Sequence, residues 1–225
     1  MRLRHRKWAD DVLLANKDIA RTLADFQPET LKDYQHLEIG SGQGGFLLEV
    51  CKLQPQDRYL GVEINRNAFA LAVKHAALVK EDRHNFLLLN APIERVFPLL
   101  QDQQLDTIYL NFSDPWPKKK QHHRRLTYPT LQKEYHRILK ENGTLYFRTD
   151  NIDLFNDSIE YFTQADLFDF EIIQPFYSEN VDYLPPTEYE TKFRAKGVQI
   201  NVLIAHPKKK WRQQPCWRFS FAKEN

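Results

Sequence analysis

Strand-like and helix-like stretches alternate along most of this chain, and no other feature of the sequence constrains the fold as much. Short apolar runs are followed by longer stretches in which apolar residues recur with helical spacing. Such alternation is typical of an α/β fold, a mostly parallel sheet with helices on both faces. The predicted strands are 34–39, 58–64, 85–89, 105–112, 144–148, 169–173 and 198–205, and the predicted helices are 46–53, 65–80, 92–100, 127–140 and 151–164. Ligands of such sheets bind at the carboxyl ends of the strands, so the residues just after each strand are candidates for a site.

Length and composition indicate one domain. The 225 residues, 42% of them hydrophobic, are enough for a single mid-sized core. We expect one domain over residues 1–206, with a basic N-terminal arm over about the first 30, and a basic, aromatic tail over 207–225. Cys51 and Cys216 lie in different contexts, so we expect no disulfide framework and a cytoplasmic location. No apolar run is long enough to span a bilayer, and no signal peptide is recognisable.

Basic residues are clustered, although the net charge is only +2. The clusters lie at 2–7, 118–125 and 208–212, whereas acidic residues are spread more evenly. A single run of this kind is as compatible with ordinary solvated surface as with a binding site. Several such runs in one near-neutral chain favour a polyanion docking on one face, and we expect nucleic acid.

The first predicted strand ends in the glycine-rich turn 38–45, EIGSGQGG. Glycine allows positive φ and a close approach of the backbone to a ligand. Gly40, Gly42 and Gly45 match the dinucleotide pattern G-x-G-x-x-G. Glu63, at the end of the second strand, could accept hydrogen bonds from a ribose diol. Both NAD and S-adenosylmethionine contain that diol, so these residues leave both cofactors open.

Glu38 distinguishes the two cofactors. It lies two residues before the first glycine, at the end of the strand. A carboxylate there would repel the pyrophosphate of a dinucleotide, whereas S-adenosylmethionine has no phosphate and carries a sulfonium and an ammonium group. The pattern E-x-G-x-G-x-G therefore favours S-adenosylmethionine over a dinucleotide, and over a turn that binds nothing. Its members are Glu38, Gly40, Gly42 and Gly44.

Polar residues also follow the third and fifth predicted strands. The amide of Asn90 could read an adenine edge, although asparagine is also common in turns. Asp150 could face the same cleft as the other acids, and it could also cap the following helix.

The segment after the fourth predicted strand, Asn111–Lys120 (NFSDPWPKKK), combines groups that can hold a nucleic-acid base. Asp114 places a carboxylate in the cleft that the glycine turn also faces, Trp116 lies between two prolines in a stiff loop, and a cationic run follows. Together these groups can bind a base and its flanking phosphates. Trp116 could instead pack in the core, and His122 and His123 could be ordinary surface residues. We expect no metal site, because adjacent histidines point apart and no further ligand completes a set.

Several motifs together resemble bacterial tRNA (guanine-N7-)-methyltransferases, and the resemblance covers nearly the whole chain. The motifs are ExGSGxG, NFSDPWPKK, RRLTY, FRTDN and TEYETKF. The resemblance implies a class I methyltransferase fold, which is Rossmann-like with a mostly parallel seven-stranded sheet. It also implies S-adenosylmethionine-dependent methylation of guanine N7 at position 46 in the variable loop of tRNA, with S-adenosylhomocysteine as the product.

The resemblance further implies roles for individual residues. Asp114 would be the catalytic residue. The cofactor contacts would be Glu38, Gly40, Gly42, Gly44, Glu63, Asn90 and Asp114. The substrate contacts would be Lys118, Asp150, Thr187, Glu188, Tyr189 and Glu190. The family often has aspartate at the position of Asn90, but an amide can make the same contact.

Other functions remain open at this point. An exocyclic-amine methyltransferase would have two prolines before the aromatic residue, whereas here Trp116 follows a single proline. An NAD-dependent oxidoreductase is disfavoured by Glu38, and a non-catalytic RNA-binding protein on the same scaffold by the presence of both Glu38 and Asp114. The expected partner is tRNA, and we expect no membrane contact, no obligatory protein partner, and a monomer or a homodimer.

Overall fold

The computed structural model describes residues 7–25, 31–80, 85–175 and 185–209. The strands are β1 (Ala20–Thr22), β2 (His36–Ile39), β3 (Tyr59–Glu63), β4 (Phe86–Asn90), β5 (Leu105–Asn111), β6 (Leu139–Thr149), β7 (Phe168–Ile173) and β8 (Asn201–Pro207). The helices are α1 (Lys7–Ala15), α2 (Gly45–Leu53), α3 (Arg66–Ala77), α4 (Pro129–Ile138), α5 (Ile152–Ala165) and α6 (Glu188–Arg194). Short 3-10 helices lie at Leu23–Asp25, Ile93–Arg95, Phe97–Leu99 and Lys119–Arg124. None of the helices in these ranges is long and apolar enough to cross a membrane.

The described strands form one sheet, in the order β1-β4-β3-β2-β5-β6-β8-β7. β2 pairs in parallel with both β3 and β5, so the chain builds the sheet outward from β2 in two directions. β8 is antiparallel to its neighbours β6 and β7. The predicted mostly parallel α/β sheet is confirmed. In sheets of this kind the reversal of strand order predicts a ligand site at the carboxyl ends of β2 and its neighbours.

The sheet has eight strands within the described ranges, where the resemblance implied seven. The additional strand is β1, a three-residue strand at the sheet edge that pairs with β4. α1 precedes β1 and packs against α3. The described part of the predicted N-terminal arm is therefore built into the domain. Residues 1–6 and 26–30 of that arm lie outside the described residues.

The other end of the chain extends the sheet further than predicted. β8 continues to Pro207, and the Lys208 ammonium pairs with Asp166 at 2.5 Å and with Asp169 at 3.4 Å. The first residues of the predicted tail are thus held against the domain, while residues 210–225 lie outside the described residues.

Some element boundaries differ from the prediction for local reasons. The segment 92–100 forms two short 3-10 helices instead of one α-helix. Pro98 lies within the second and has no N–H to continue an α-helical ladder. The predicted helix 127–140 ends earlier, because β6 begins at Leu139 and not at residue 144, where a strand was predicted to begin.

The two faces of the sheet bury separate apolar clusters. One cluster joins the strands to α4 and α5 and includes Leu37 and Phe155. The other joins them to α2 and α3 and includes Phe46 and Phe69. Successive strand residues point to opposite faces, so Glu38 lies on the α2–α3 face, opposite to its neighbour Leu37.

Candidate active site

The acids and amides that the sequence singled out lie along one edge of the sheet. Glu63 and Asn90 are the last residues of β3 and β4. Glu38 lies one residue before the end of β2, and Asp114 and Asp150 follow β5 and β6. These strands are parallel neighbours, so their carboxyl ends form one continuous edge, which we call the rim.

The turn after β2 has the backbone that its glycines allow. Gly40, Gly42 and Gly44 have φ of 77°, 55° and 81°, in the left-handed region that favours glycine. A Cβ at Gly42 would meet no atom within 4 Å, so the backbone there is open to a ligand. Within this turn, the glycines with positive φ are those of the E-x-G-x-G-x-G pattern.

Glu38 is buried at the end of β2, with 3% of its surface exposed. Its Oε1 accepts a hydrogen bond from Asn111 Nδ2 at 2.9 Å, whereas its Oε2 has no partner among the described residues. Burial raises the pKa of this carboxyl group to about 7, against the lowering effects of the Asn111 hydrogen bond and the Arg148 charge. A buried oxygen without a donor is costly, so this atom is suited to a cationic or hydrogen-bond-donating ligand.

Backbone amides fix the carboxylate of Glu63. Its Oε2 accepts from the N–H of Gly42 at 2.8 Å, and its Oε1 from the N–H of Asn65 at 2.6 Å. Burial raises the pKa of Glu63, those hydrogen bonds lower it, and the Asp114 carboxylate raises it again. Each oxygen keeps a further lone pair, so this oriented carboxylate can accept both hydrogen bonds of a ribose diol.

The amide of Asn90 is oriented by the backbone beside it. Its Nδ2 donates to the carbonyl oxygens of Glu63, at 2.7 Å, and Ile64, at 3.4 Å. With the amide hydrogens engaged there, the group left for a ligand is Oδ1, an acceptor. Asn90 therefore presents an acceptor oxygen at the rim, the kind of atom that a carboxylate would also present. Ile64, 70% exposed, adds apolar surface next to it.

The loop after β5 has an unusual backbone. Phe112 and Trp116 have φ of 50° and 42°, a region that large side chains seldom adopt. These two residues bracket Asp114, whose side chain is exposed. Backbone strain of this kind concentrates at functional sites, so the loop is a strong candidate for part of the active site.

Arg125 anchors this loop and does not belong to the basic surface, contrary to its place in the predicted cationic run. Only 2% of Arg125 is exposed. Its Nε donates to the carbonyl oxygen of Pro115 at 2.7 Å, and its Nη1 contacts the Asp157 carboxylate and, at 3.2 Å, the Tyr161 hydroxyl. The guanidinium therefore ties the loop to α5.

Exposed cations lie beside Trp116. The ring is half-buried and outside both core clusters, so the core-packing alternative for it is wrong. The Arg124 guanidinium lies over the ring, 4.8 Å from its centre. Lys118 and His123 are exposed, and His122 is half-buried. In the described parts of the chain, no group of three or more His, Cys, Asp or Glu side chains could hold a metal ion.

Asp150 lies at the rim without a capping role. The N-cap of α5 is Asn151, whose Oδ1 accepts from the N–H of Leu154 at 2.8 Å. The alternative that Asp150 caps this helix is therefore wrong. Its half-buried carboxylate follows β6, the strand next to β5, and so lies beside the Asp114 loop along the rim.

Tyr189 is the exposed aromatic residue of the TEYE segment. Its side chain is 61% exposed and its ring stacks on Phe112, with 6.0 Å between the ring centres. The ring also contacts Phe193, with 6.1 Å between the ring centres. Phe112 is two residues from Asp114, so Tyr189 offers an aromatic face beside the candidate catalytic loop.

Two other residues of the segment are buried. Thr187 caps α6, its hydroxyl oxygen accepting from the N–H of Glu190 at 2.9 Å. Glu190 is fully buried, and one of its carboxylate oxygens lies 3.1 Å from Arg148 Nη1. These two residues therefore fix α6, the helix that carries Tyr189. Glu188 lies in the same helix, and its side chain is outside the described part of the structure.

Sequence reasoning gave no role to Asn111 or Arg148, which are 8% and 0% exposed. Asn111 lies within a recognised motif, and Arg148 is a charged residue in the otherwise apolar run TLYFR. The charge of Arg148 within a predicted central strand was the signal that could have identified it. A buried charge needs a buried partner, so such a residue points to a polar network.

Known proteins similar to this chain are methyltransferases. A family model described as a putative methyltransferase matches residues 32–203. A tRNA (guanine-N(7)-)-methyltransferase from Limosilactobacillus reuteri (strain DSM 20016) is 37% identical over 213 residues, which cover 92% of this chain and 99% of the relative. The protein of the same name from Bacillus subtilis (strain 168) is 35% identical over 207 residues, covering 89% and 96%.

Solved structures share the fold at much lower identity. The aminoglycoside resistance methyltransferase NpmB1 has a TM-score of 0.57 and 15% identity, with 80% of this chain and 91% of that chain covered. Precorrin-6y C5,15-methyltransferase from Geobacter metallireducens GS-15 has a TM-score of 0.56 and 13% identity, covering 92% and 90%. The structural likeness establishes the methyltransferase fold, and the sequence relatives establish the family. The chain therefore belongs to the tRNA (guanine-N(7)-)-methyltransferase family.

Proposed function

We propose that this protein transfers a methyl group from S-adenosylmethionine to N7 of guanine at position 46 in the variable loop of tRNA. The observation that carries the proposal is the meeting of Glu38, Glu63 and Asp114 at one rim, in a chain 37% identical to a named tRNA (guanine-N(7)-)-methyltransferase. The proposed substrate implies a cytoplasmic location.

The rim fits S-adenosylmethionine group by group. The unpartnered Oε2 of Glu38 suits the positive charge of the methyl donor. The oriented carboxylate of Glu63 suits the ribose diol. The Oδ1 of Asn90 can accept from the 6-amino group of adenine, with Ile64 against the ring, and the open backbone at Gly42 permits close approach.

The same rim argues against a dinucleotide. The glycine turn is surrounded by carboxylates, those of Glu38, Glu63 and Asp114. The Asp114 charge is close enough to raise the pKa of Glu63. A pyrophosphate in this position would be repelled by Glu38 and Asp114, whereas Glu63 suits the ribose diol of either cofactor and does not distinguish them. This distribution of charge favours the methyltransferase over the oxidoreductase.

For the proposed reaction the protein has to align guanine N7 with the methyl group and stabilise the positive charge that develops on the base. Bound S-adenosylmethionine supplies a methyl group on a positively charged sulfur, which keeps the bonding electron pair when the methyl leaves. Guanine N7 has an in-plane lone pair and no proton, so Asp114 need not act as a base. Held near the ring, its carboxylate stabilises the positive charge that develops on the purine, and it can accept from N1–H and the 2-amino group.

Residues on the far side of the rim would hold the base. The exposed ring of Tyr189, supported by Phe112, offers a surface on which a purine can stack. Asp150 adds a second acceptor at the end of β6. Thr187 and Glu190 contribute by fixing α6, since both are buried.

The cationic 3-10 helix beside Trp116 would hold the RNA backbone. Lys118, Lys119, Lys120 and Arg124 are exposed there. Such contacts release counterions, so tRNA affinity should fall steeply as salt concentration rises. The predicted basic run at the N-terminus lies almost wholly outside the described residues.

A labelling experiment tests the proposal. The protein is incubated with methyl-labelled S-adenosylmethionine and unmodified tRNA, and the modified nucleoside and its position are identified. We expect 7-methylguanosine at position 46, and label in another nucleoside or none at all would refute the proposal.

A pair of variants tests the role of Asp114. Asp114→Asn should lower kcat by on the order of a hundredfold, the usual effect of removing one charge-stabilising group, with the melting temperature unchanged. The control Asp169→Asn, an exposed residue of the far edge strand β7, should keep wild-type kcat. Wild-type activity of Asp114→Asn would remove Asp114 from the catalytic centre.

A further inference from the structure

A continuous chain of buried polar groups links β2 to α6. Asn111 Nδ2 donates to Glu38 Oε1 at 2.9 Å, and Arg148 Nε donates to Asn111 Oδ1 at 2.7 Å. Arg148 Nη1 then pairs with Glu190 Oε2 at 3.1 Å. The other oxygen of Glu190 lies 2.8 Å from Arg194 Nη2. The proposed cofactor carboxylate and the base-side helix are therefore joined without a gap.

The register of the sheet creates this chain. β5 and β6 pair in parallel, with Asn111 opposite Arg148 and Tyr109 opposite Tyr146. Glu38 is opposite Tyr109, so alternation puts all of these side chains on the α2–α3 face. An amide suits the middle position, because it donates to the carboxylate on one side and accepts from the guanidinium on the other.

Arg148 is the central charge of the chain. Its guanidinium is fully buried and lies 4.7 Å from the centre of the Phe46 ring. Burial lowers the pKa of Arg148 to about 10, against the raising effects of Glu190 and Glu38, so it stays protonated at neutral pH. Its Nη1 also donates to the carbonyl oxygen of Pro185, at 3.1 Å, just before α6.

We propose that Arg148 is a positioning residue that couples binding of the methyl donor to the placement of α6. Through Asn111 it holds Glu38 toward the cofactor, and through Glu190 it holds the helix that carries Tyr189. The inference rests on the proposed role of Glu38 in facing S-adenosylmethionine.

The coupling has an electrostatic consequence for the cofactor side. Among the described residues, the charged or titratable groups that act on Glu38 are Arg148 from β6, Glu63 from β3 and Tyr109 from β5. Only Arg148 among them favours the ionised carboxylate. Without its charge, the pKa of Glu38 should rise by about one pH unit, the lower end of the usual effect of a neighbouring opposite charge. The carboxylate would then be mostly protonated at pH 7.

The test is the pH dependence of S-adenosylmethionine binding, measured by calorimetry from pH 6 to pH 9, together with steady-state kinetics on tRNA. Arg148→Gln removes the charge and keeps hydrogen-bonding groups. We expect the midpoint of the pH dependence to rise by about one pH unit, binding at pH 7 to weaken about fivefold, and KM for tRNA to increase. Arg148→Lys restores the charge but not the fork of hydrogen bonds. It should return the midpoint toward wild type while KM for tRNA stays raised.

A matched control separates this role from simple loss of stability. Arg137 is also paired and partly buried, with Asp102 and Glu134 as partners, at the opposite end of the strands. Arg137→Gln should lower the melting temperature and leave the midpoint of cofactor binding unchanged. A shift of the midpoint in this control equal to that in Arg148→Gln would overturn the proposal.

The outcomes distinguish this inference from the role of Glu38 itself. If Glu38→Gln and wild type bind S-adenosylmethionine with the same pH dependence, the cofactor role of Glu38 fails and the coupling fails with it. If Glu38→Gln abolishes the dependence but Arg148→Gln keeps the wild-type midpoint, only the coupling is wrong. Should Arg148→Gln not fold, Arg148→Lys decides, because a wild-type KM for tRNA in that variant would refute the coupling to α6.

Discussion

Two adjacent arginines should respond in opposite ways to substitution. Arg124 is exposed and lies over Trp116, whereas Arg125 is 2% exposed and holds both Pro115 and Asp157. We expect Arg125→Ala to destabilise the fold and Arg124→Ala to weaken RNA binding without destabilising it. The comparison is stringent because the two residues have the same chemistry and adjacent positions.

The size of the stability effect follows from the partners of Arg125. Removing one member of a fully buried ion pair costs about 3–5 kcal/mol. The Asp157 side chain is 34% exposed, so water can hydrate it after the loss, and we expect about 2–3 kcal/mol. For a domain of this size, each kcal/mol lowers Tm by about 2–4 °C. The melting temperature of Arg125→Ala should therefore fall by about 4–12 °C.

Thermal unfolding and salt-dependent tRNA binding give the two readouts. A lost phosphate contact should reduce the slope of log K against log salt concentration by about one. We expect that reduction in Arg124→Ala, with an unchanged Tm, and an unreduced slope in Arg125→Ala when measured below its melting range. If Arg125→Ala melts at the wild-type temperature and loses salt dependence, Arg125 binds RNA and the anchoring of the loop is wrong.

Three other substitutions or conditions test the site and its support. Lowering the pH from 7 to 6 should weaken S-adenosylmethionine binding about fivefold in calorimetry, because the pKa of Glu38 is about 7 and only its ionised form attracts the donor. Glu38→Gln should show no such pH dependence. Gly61→Ala should lower Tm in a thermal melt, because its Cβ would lie 2.8 Å from a Leu47 methyl carbon and overpacking costs about 1–3 kcal/mol; an unchanged Tm would contradict that packing. Tyr189→Ala should raise KM for tRNA severalfold with little change in Tm, since the ring is 61% exposed, and Tyr189→Phe should restore wild-type KM if stacking is the interaction.

The sheet and the rim could be predicted because they depend on periodicity and strand direction. Alternating strands and helices predict a parallel sheet, and in such a sheet the ends of successive strands meet. Glu63 and Asn90 end their strands and Glu38 lies one residue before the end of its strand, so their meeting followed once the strands were recognised. The orientation of the Asn90 amide did not follow, because it depends on carbonyl groups of another strand.

The functions of neighbouring cations could not be read from the sequence. Arg124 and Arg125 belong to one basic run, and only the packing of the loop on α5 decides which of them is buried. Asp150 and Asn151 are likewise adjacent candidates for the same cap. Backbone geometry at the helix start gives that role to Asn151. Choices between adjacent residues of similar chemistry depend on tertiary contacts, which local pattern does not contain.

The TEYE segment combines two buried residues that fix a helix with one exposed aromatic ring. Thr187 and Glu190 are buried and hold the ends of one helical turn, while Tyr189, between them, faces solvent beside Phe112. A substitution at Glu190 would thus alter the substrate side by moving Tyr189, and it would leave Arg148 with a buried, uncompensated charge. Because Arg148 also acts on Glu38, the same substitution should change the binding of S-adenosylmethionine. Loss of activity on substitution of Glu190 would therefore not show whether cofactor binding or tRNA binding had failed. Separate measurements of the two binding steps are needed to distinguish them.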